Sequence, residues 1–125
     1  MTEDKYSTPV KPEEIHLHTQ EKCLEVSFEN GKIFKLPAEY LRVESPSAEV
    51  QGHGVGPKKL IAGRKFVGIM NIEPIGNYAI KIIFDDMHDS GLYSWRYLYQ
   101  LGEEYEVRWE QYLADLKAEG KRREP

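Results

Sequence analysis

Cys23 is the only cysteine among the 125 residues of the chain. A lone thiol excludes an intramolecular disulfide and any cysteine-rich metal site, and it fits a reducing compartment. Long apolar runs are missing as well. The longest, Ile80 to Phe84, is interrupted by Lys81 and falls far short of the roughly 20 residues that span a bilayer. The polar start Met1-Thr2-Glu3-Asp4-Lys5 leads into no apolar stretch, so no secretory signal is expected and the chain reads as cytoplasmic, without a membrane partner. A basic excess is also lacking. The 17 Lys and Arg stand against 21 Asp and Glu, a formal net charge of −4. General nucleic-acid binding needs a net basic face, so nucleic acid is not an expected partner.

What is present is alternation. Ile15 and Leu17 alternate with Glu14, His16 and His18, and Leu24, Val26 and Phe28 alternate with Cys23, Glu25 and Ser27, the period of half-buried strands. Asn30-Gly31 then precedes Ile33-Phe34-Lys35-Leu36, which predicts a hairpin with a type I′ turn. Pro37 to Arg42 suits one helical turn with proline at its first position. A second strand pair is expected over Val67 to Ile72 and Tyr78 to Phe84, joined by a turn at Glu73-Pro74-Ile75-Gly76-Asn77. Both faces of the later strand are apolar, as in a central strand. The polar turn Asp85 to Gly91 returns the chain into a short strand at Leu92-Tyr93.

Ser94 can cap a helix starting at Trp95, with Gly102 as its stop. A last helix is expected over about 103–119, with Tyr105, Trp109, Tyr112, Leu113 and Leu116 on one stripe. Strands first and helices last predict an α+β domain: a small mixed or antiparallel sheet, short helices and a C-terminal amphipathic helix. The expected organisation is a flexible lead over 1–11, the domain over 12–102, the helical extension over 103–120 and a polar tail over 121–125.

Four groups of residues invite chemical readings. Gly52-His53-Gly54-Val55-Gly56-Pro57-Lys58-Lys59 resembles a phosphate loop in composition. Pro57 nevertheless stands where a dinucleotide fingerprint needs glycine, and no Lys-Ser/Thr pair opens a helix, so a mobile surface loop is the simpler reading. His16 and His18 project the same way from a strand, but no third ligand stands near them in sequence, which favours a solvated face. Cys23 lacks a glycine elbow and oxyanion donors that would support nucleophilic catalysis. Asp85-Asp86-Met87-His88-Asp89 departs from EF-hand spacing and is explained by carboxylates bonding turn amides.

Three segments taken in order carry a family resemblance: Leu41-Arg42 with Ser45-Pro46-Ser47-Ala48-Glu49-Val50, Glu73-Pro74-Ile75-Gly76-Asn77-Tyr78-Ala79, and Phe84-Asp85-Asp86-Met87-His88-Asp89-Ser90-Gly91-Leu92-Tyr93-Ser94-Trp95. Together they resemble the gamma-butyrobetaine hydroxylase-like N-terminal domain family, in the form of a stand-alone bacterial-type member. In eukaryotic hydroxylases this domain precedes an iron-binding oxygenase barrel and carries a zinc held by three cysteines and a histidine. The resemblance lays those ligand positions on Ser45, Ser47, Val50 and His88. Three of the four side chains are not zinc ligands, so neither zinc nor another cofactor is expected, and the oxygenase chemistry does not carry over.

The resemblance and the lack of a catalytic constellation imply a non-enzymatic accessory domain whose partner is another protein. The candidate contact surface comprises Arg42, His53, Asp86, His88, Tyr93 and Trp95. The rival readings are a small-ligand or metal-cluster binder connected with iron–sulfur metabolism, and an enzyme using His88 as acid/base beside Asp86.

Overall fold

The computed structural model describes residues 11–47, 59–87 and 89–125. The glycine loop with His53, the turn histidine His88, and Val50 therefore lie outside the described residues, together with the lead segment 1–10. Strands β1 (Pro12–His18), β2 (Cys23–Phe28) and β3 (Ile33–Pro37) form one antiparallel sheet in that order. Helix α1 (Ala38–Val43) follows directly. Strands β4 (Ile69–Ile75), β5 (Ala79–Phe84) and β6 (Asp89–Ser94) form a second antiparallel sheet with β5 in the centre. Helices α2 (Trp95–Glu103) and α3 (Tyr105–Ala118) complete the expected α+β layout.

The hairpin at Asn30-Gly31 forms, but with a different turn. Gly31 donates to the Phe28 carbonyl at 3.0 Å and Phe28 to the Lys32 carbonyl at 2.8 Å. Only Gly31, at φ 91°, is left-handed there. The loop is thus the three-residue kind with a glycine bulge, whereas type I′ would need a positive φ at Asn30 too. Asn30 instead accepts the Lys32 amide on its side chain at 3.1 Å.

In the second sheet the turn expected at 73–77 slides forward: β4 runs on to Ile75 and the chain reverses at Gly76, Asn77 and Tyr78. Pro74 is therefore a strand residue opposite Ile80. It is tolerated because β4 is an edge strand, where a missing N–H can face away from the ladder. Tyr78 falls in the turn and is exposed, while Ile80, Ile82 and Phe84 keep to the buried face of β5.

Ser94 caps α2, its hydroxyl accepting the Tyr97 amide at 3.1 Å. Gly102 does not stop that helix; it lies inside its last turn. Its role is proximity, since a Cβ there would stand 2.3 Å from Cγ of Phe34. The end of α3 is the expected one. Gly120, at φ 67°, donates to Lys117 at 3.2 Å and Lys121 to Leu116 at 2.8 Å, the paired bonds of a Schellman cap.

The main core lies between the two sheets. It joins Leu24, Val26, Phe28 and Leu36 to Ile69, Ile80, Ile82, Phe84 and Tyr93, with Tyr40 and Leu41 of α1 and Leu98 and Leu101 of α2. A second cluster under α3 holds Val43, Ile61, Tyr112 and Leu116, and Trp109 packs against both. Leu113, expected on the buried stripe, is 39% exposed. No described helix is long and apolar enough to cross a membrane.

Candidate functional site

All six residues of α1 are buried, and two of them, Glu39 and Arg42, are charged; Glu44 follows as its C-cap. Taking three charges out of water is costly unless each finds a partner. Each does, on a different part of the chain. Glu39 receives the Arg123 guanidinium in a fork, Nη2 to Oε1 at 2.7 Å and Nε to Oε2 at 2.9 Å. Arg42, 2% exposed, donates from Nε to Oδ2 of Asp86 at 2.8 Å. Glu44 takes Nη1 of Arg108 at 3.0 Å, and the Arg108 Nε also holds Glu104 at 2.8 Å. A short helix is thereby tied to the C-terminal tail, to the β5–β6 turn and to α3.

The same helix leaves carbonyls at its C-terminal end without intrahelical donors. Two tyrosines supply them: Tyr93 donates to the Leu41 carbonyl at 2.6 Å and Tyr97 to that of Glu44 at 2.5 Å. Tyr40 donates to Leu101 at 2.7 Å and Tyr112 to Ile61 at 2.6 Å. Burial, reinforced by Glu44, pushes the Tyr97 phenol up to about 12; burial, reinforced by Glu39, does the same for Tyr112. Burial likewise raises Tyr40 and Tyr93 well above the ordinary phenol value. These hydroxyls are neutral donors that hold backbone in place.

Beside this network, Arg64 brings a second guanidinium to Asp86, Nε lying 2.9 Å from the same Oδ2. The N–H is not aligned for a hydrogen bond, and Nη1 of Arg42 is buried without a hydrogen-bond partner among the described residues. Arg64, Asp86, Asp85, Phe66, Val67 and Pro125 line an open pocket of about 220 Å³. A larger cleft of about 310 Å³ lies between Leu60-Ile61 and α3, and the Glu44–Arg108 pair forms part of its wall. Phe66, at the smaller pocket, is one of several exposed apolar side chains. Phe66, Met70 and Met87 are all exposed, Met87 to 83%. The Asp85 amide donates to the Gly68 carbonyl at 2.9 Å and so holds the two segments that carry them side by side.

The candidate surface read from the sequence is thus rearranged. Arg42 and Asp86 do come together. Arg42 and Tyr93 face inward, however, because α1 and β6 pack on the core, so neither can form a contact surface. Trp95 is half-buried and donates from Nε1 to the Asn77 carbonyl at 2.7 Å, bracing the β4–β5 turn. His53 and His88 lie outside the described residues. Glu39, Glu44, Arg64 and Arg123 carry no local signal in the sequence, since their ion-pair partners lie between 22 and 84 positions away, and Arg108 meets Glu44 64 positions away besides its near neighbour Glu104.

His16 and His18 stack with ring centroids 6.4 Å apart, each bonded to its own carboxylate, Glu14 at 2.6 Å and Glu25 at 3.0 Å. The Glu14 hydrogen bond raises the His16 pKa. Cys23 is buried, and burial pushes its thiol up, away from the reactive thiolate. Among the described residues no three His, Cys, Asp or Glu are grouped to hold a metal ion. At the two described positions of the family's zinc pattern, buried Ser45 donates to the Ser47 hydroxyl at 3.0 Å and accepts the Ser47 amide at 3.2 Å. Neutral hydroxyls engaged with one another do not fit a site that wants thiolates and imidazoles.

Comparison with known proteins agrees with this architecture. Two proteins solved in solution by NMR are each 47% identical; one covers 93% of this chain and 91% of its own with a TM-score of 0.81, the other 100% and 92% with 0.82. A crystal structure of a protein of unknown function from Acidithiobacillus ferrooxidans, assigned to the DUF971 family, is 30% identical over 74% of this chain and 92% of its own, with a TM-score of 0.62. No curated protein matches. The model of the family described as gamma-butyrobetaine hydroxylase-like, N-terminal, matches residues 15–99. The chain belongs to the gamma-butyrobetaine hydroxylase-like N-terminal domain family.

Proposed function

We propose that the protein is a non-enzymatic, cytoplasmic accessory domain that binds another protein through the exposed Phe66, Met70 and Met87. The observation that carries this reading is a division of labour. Buried ionisable groups of α1 and four tyrosine hydroxyls are engaged with the chain's own backbone and charges, while these large apolar side chains face outward. Methionine adapts its shape to a partner, and aromatic residues and Met are enriched at interface cores. Arg64 and Asp86 border the pocket beside Phe66 and would supply the polar rim.

The test is affinity capture with the wild-type chain and with Phe66→Ser/Met70→Ser/Met87→Ser. The expected result is a stoichiometric protein partner lost in the variant while its melting temperature stays near the wild-type value. Equal capture by both chains would contradict the assignment. Colour or tightly bound iron in purified protein would favour the cluster-binding alternative.

A further inference from the structure

We propose that Glu39, Trp109 and the backbone at 63–65 form a recognition site for an arginine-bearing peptide, which the chain's own tail fills in cis. It stands on different residues from the apolar surface above and does not depend on it. The Gly63 amide donates to the Arg122 carbonyl and the Lys65 amide to the Arg123 carbonyl, both at 3.0 Å. The tail is thus held through its main chain at two consecutive carbonyls, with a bend at Arg123. Its side-chain readout is specific. The Arg123 guanidinium meets both oxygens of Glu39, a carboxylate only 6% exposed, and lies 5.3 Å from the centre of the Trp109 ring. Tyr105 stacks with that ring and Tyr112 tilts against it, 6.3 and 5.1 Å away.

A buried carboxylate beside an aromatic face suits a planar guanidinium, which bonds both oxygens and stacks; an ammonium cannot do both. Packing alone would be served as well by apolar residues, because a buried ion pair is weak evidence for stability. The tail reaches the site across Gly120, whose left-handed cap ends α3, and the Arg123 side chain keeps 35% exposure. The tail is therefore an exchangeable occupant of a built site. A partner segment presenting an arginine in the same way would compete with it.

The experiment titrates full-length wild type, Arg123→Ala and Arg123→Lys with the acetylated peptide Lys-Arg-Arg-Glu-Pro, and with the same peptide carrying lysine for both arginines. The arginine peptide should bind both variants at least about tenfold more tightly than wild type, and the lysine peptide should lose most of that gain. Arg123→Lys keeps a cation opposite Glu39, so it serves the same comparison if Arg123→Ala fails to fold. Equal affinity of wild type and variants, equal affinity for the two peptides, or no binding at all would each overturn the proposal.

Discussion

Asp86 accepts a buried guanidinium from Arg42 and lies against a second from Arg64. The two ends of the Arg42 pair should respond unequally to mutation. Asp86→Ala strands the Arg42 charge inside the protein and should cost about 3 kcal/mol, within the range for a broken buried pair. Arg42→Met removes the charge and the unpartnered Nη1 together, and Asp86 keeps Arg64, so it should cost clearly less; urea unfolding of both variants measures the difference. A larger loss for Arg42→Met would show that the pair is not the source of the stability. The phenols give a pH test. The folded state holds the Tyr97 proton up to about 12 against an ordinary 10, so it is favoured below pH 10 and that contribution is lost as pH rises from 10 towards 12. An ultraviolet titration of wild type against Tyr97→Phe should therefore differ near pH 12 rather than near 10.

At the scale of elements, α3 is held through Trp109, which bridges both apolar clusters. Trp109→Ala should cost about 3 kcal/mol, whereas Leu113→Ala on the same helix should cost well under 1 kcal/mol because that side chain is largely outside. Thermal melts of the two variants check this, and similar losses would show that the helix rests on a different face. The strand periods, the Asn30-Gly31 hairpin, the Ser94 cap and the Gly120 stop were legible in the sequence because each is a local signal. What was not legible depended on tertiary neighbours. Gly102 resembles a helix stop until the Phe34 ring is seen against it. Pro74 resembles a turn residue until β4 proves to be an edge. Leu113 fits the apolar stripe in sequence, yet the cluster beneath α3 is filled by Tyr112 and Leu116. The candidate site was less legible still. Asp86 was singled out with Arg42, but Glu39, Glu44 and Arg123 carry no sequence mark of burial. The tail in particular has the composition of a solvated end while its arginine closes on the interior.

Across the whole molecule, two three-stranded sheets share one core with α1 buried beside it, and ion pairs from α1 reach the tail, the β5–β6 turn and α3. The family's zinc pattern passes through Ser45 and Ser47 at the end of this helix, where hydroxyls bond each other. Helix α1, with Arg42 and Glu44 paired inside the chain, belongs to the scaffold, while the proposed contact role falls to the exposed Phe66, Met70 and Met87. Elements that move in function are drawn from the least stable parts of a fold, and scaffold elements from the most stable. Native-state amide hydrogen exchange separates the two cases directly. The hydrogen-bonded amides at the end of α1, such as Glu44 bonded to Tyr40 at 3.0 Å, should exchange only through global unfolding, with the same denaturant dependence as the amides of central strand β5. Exchange of α1 through a low-energy local opening, while β5 stays protected, would contradict the account and mark the buried charges as the moving part.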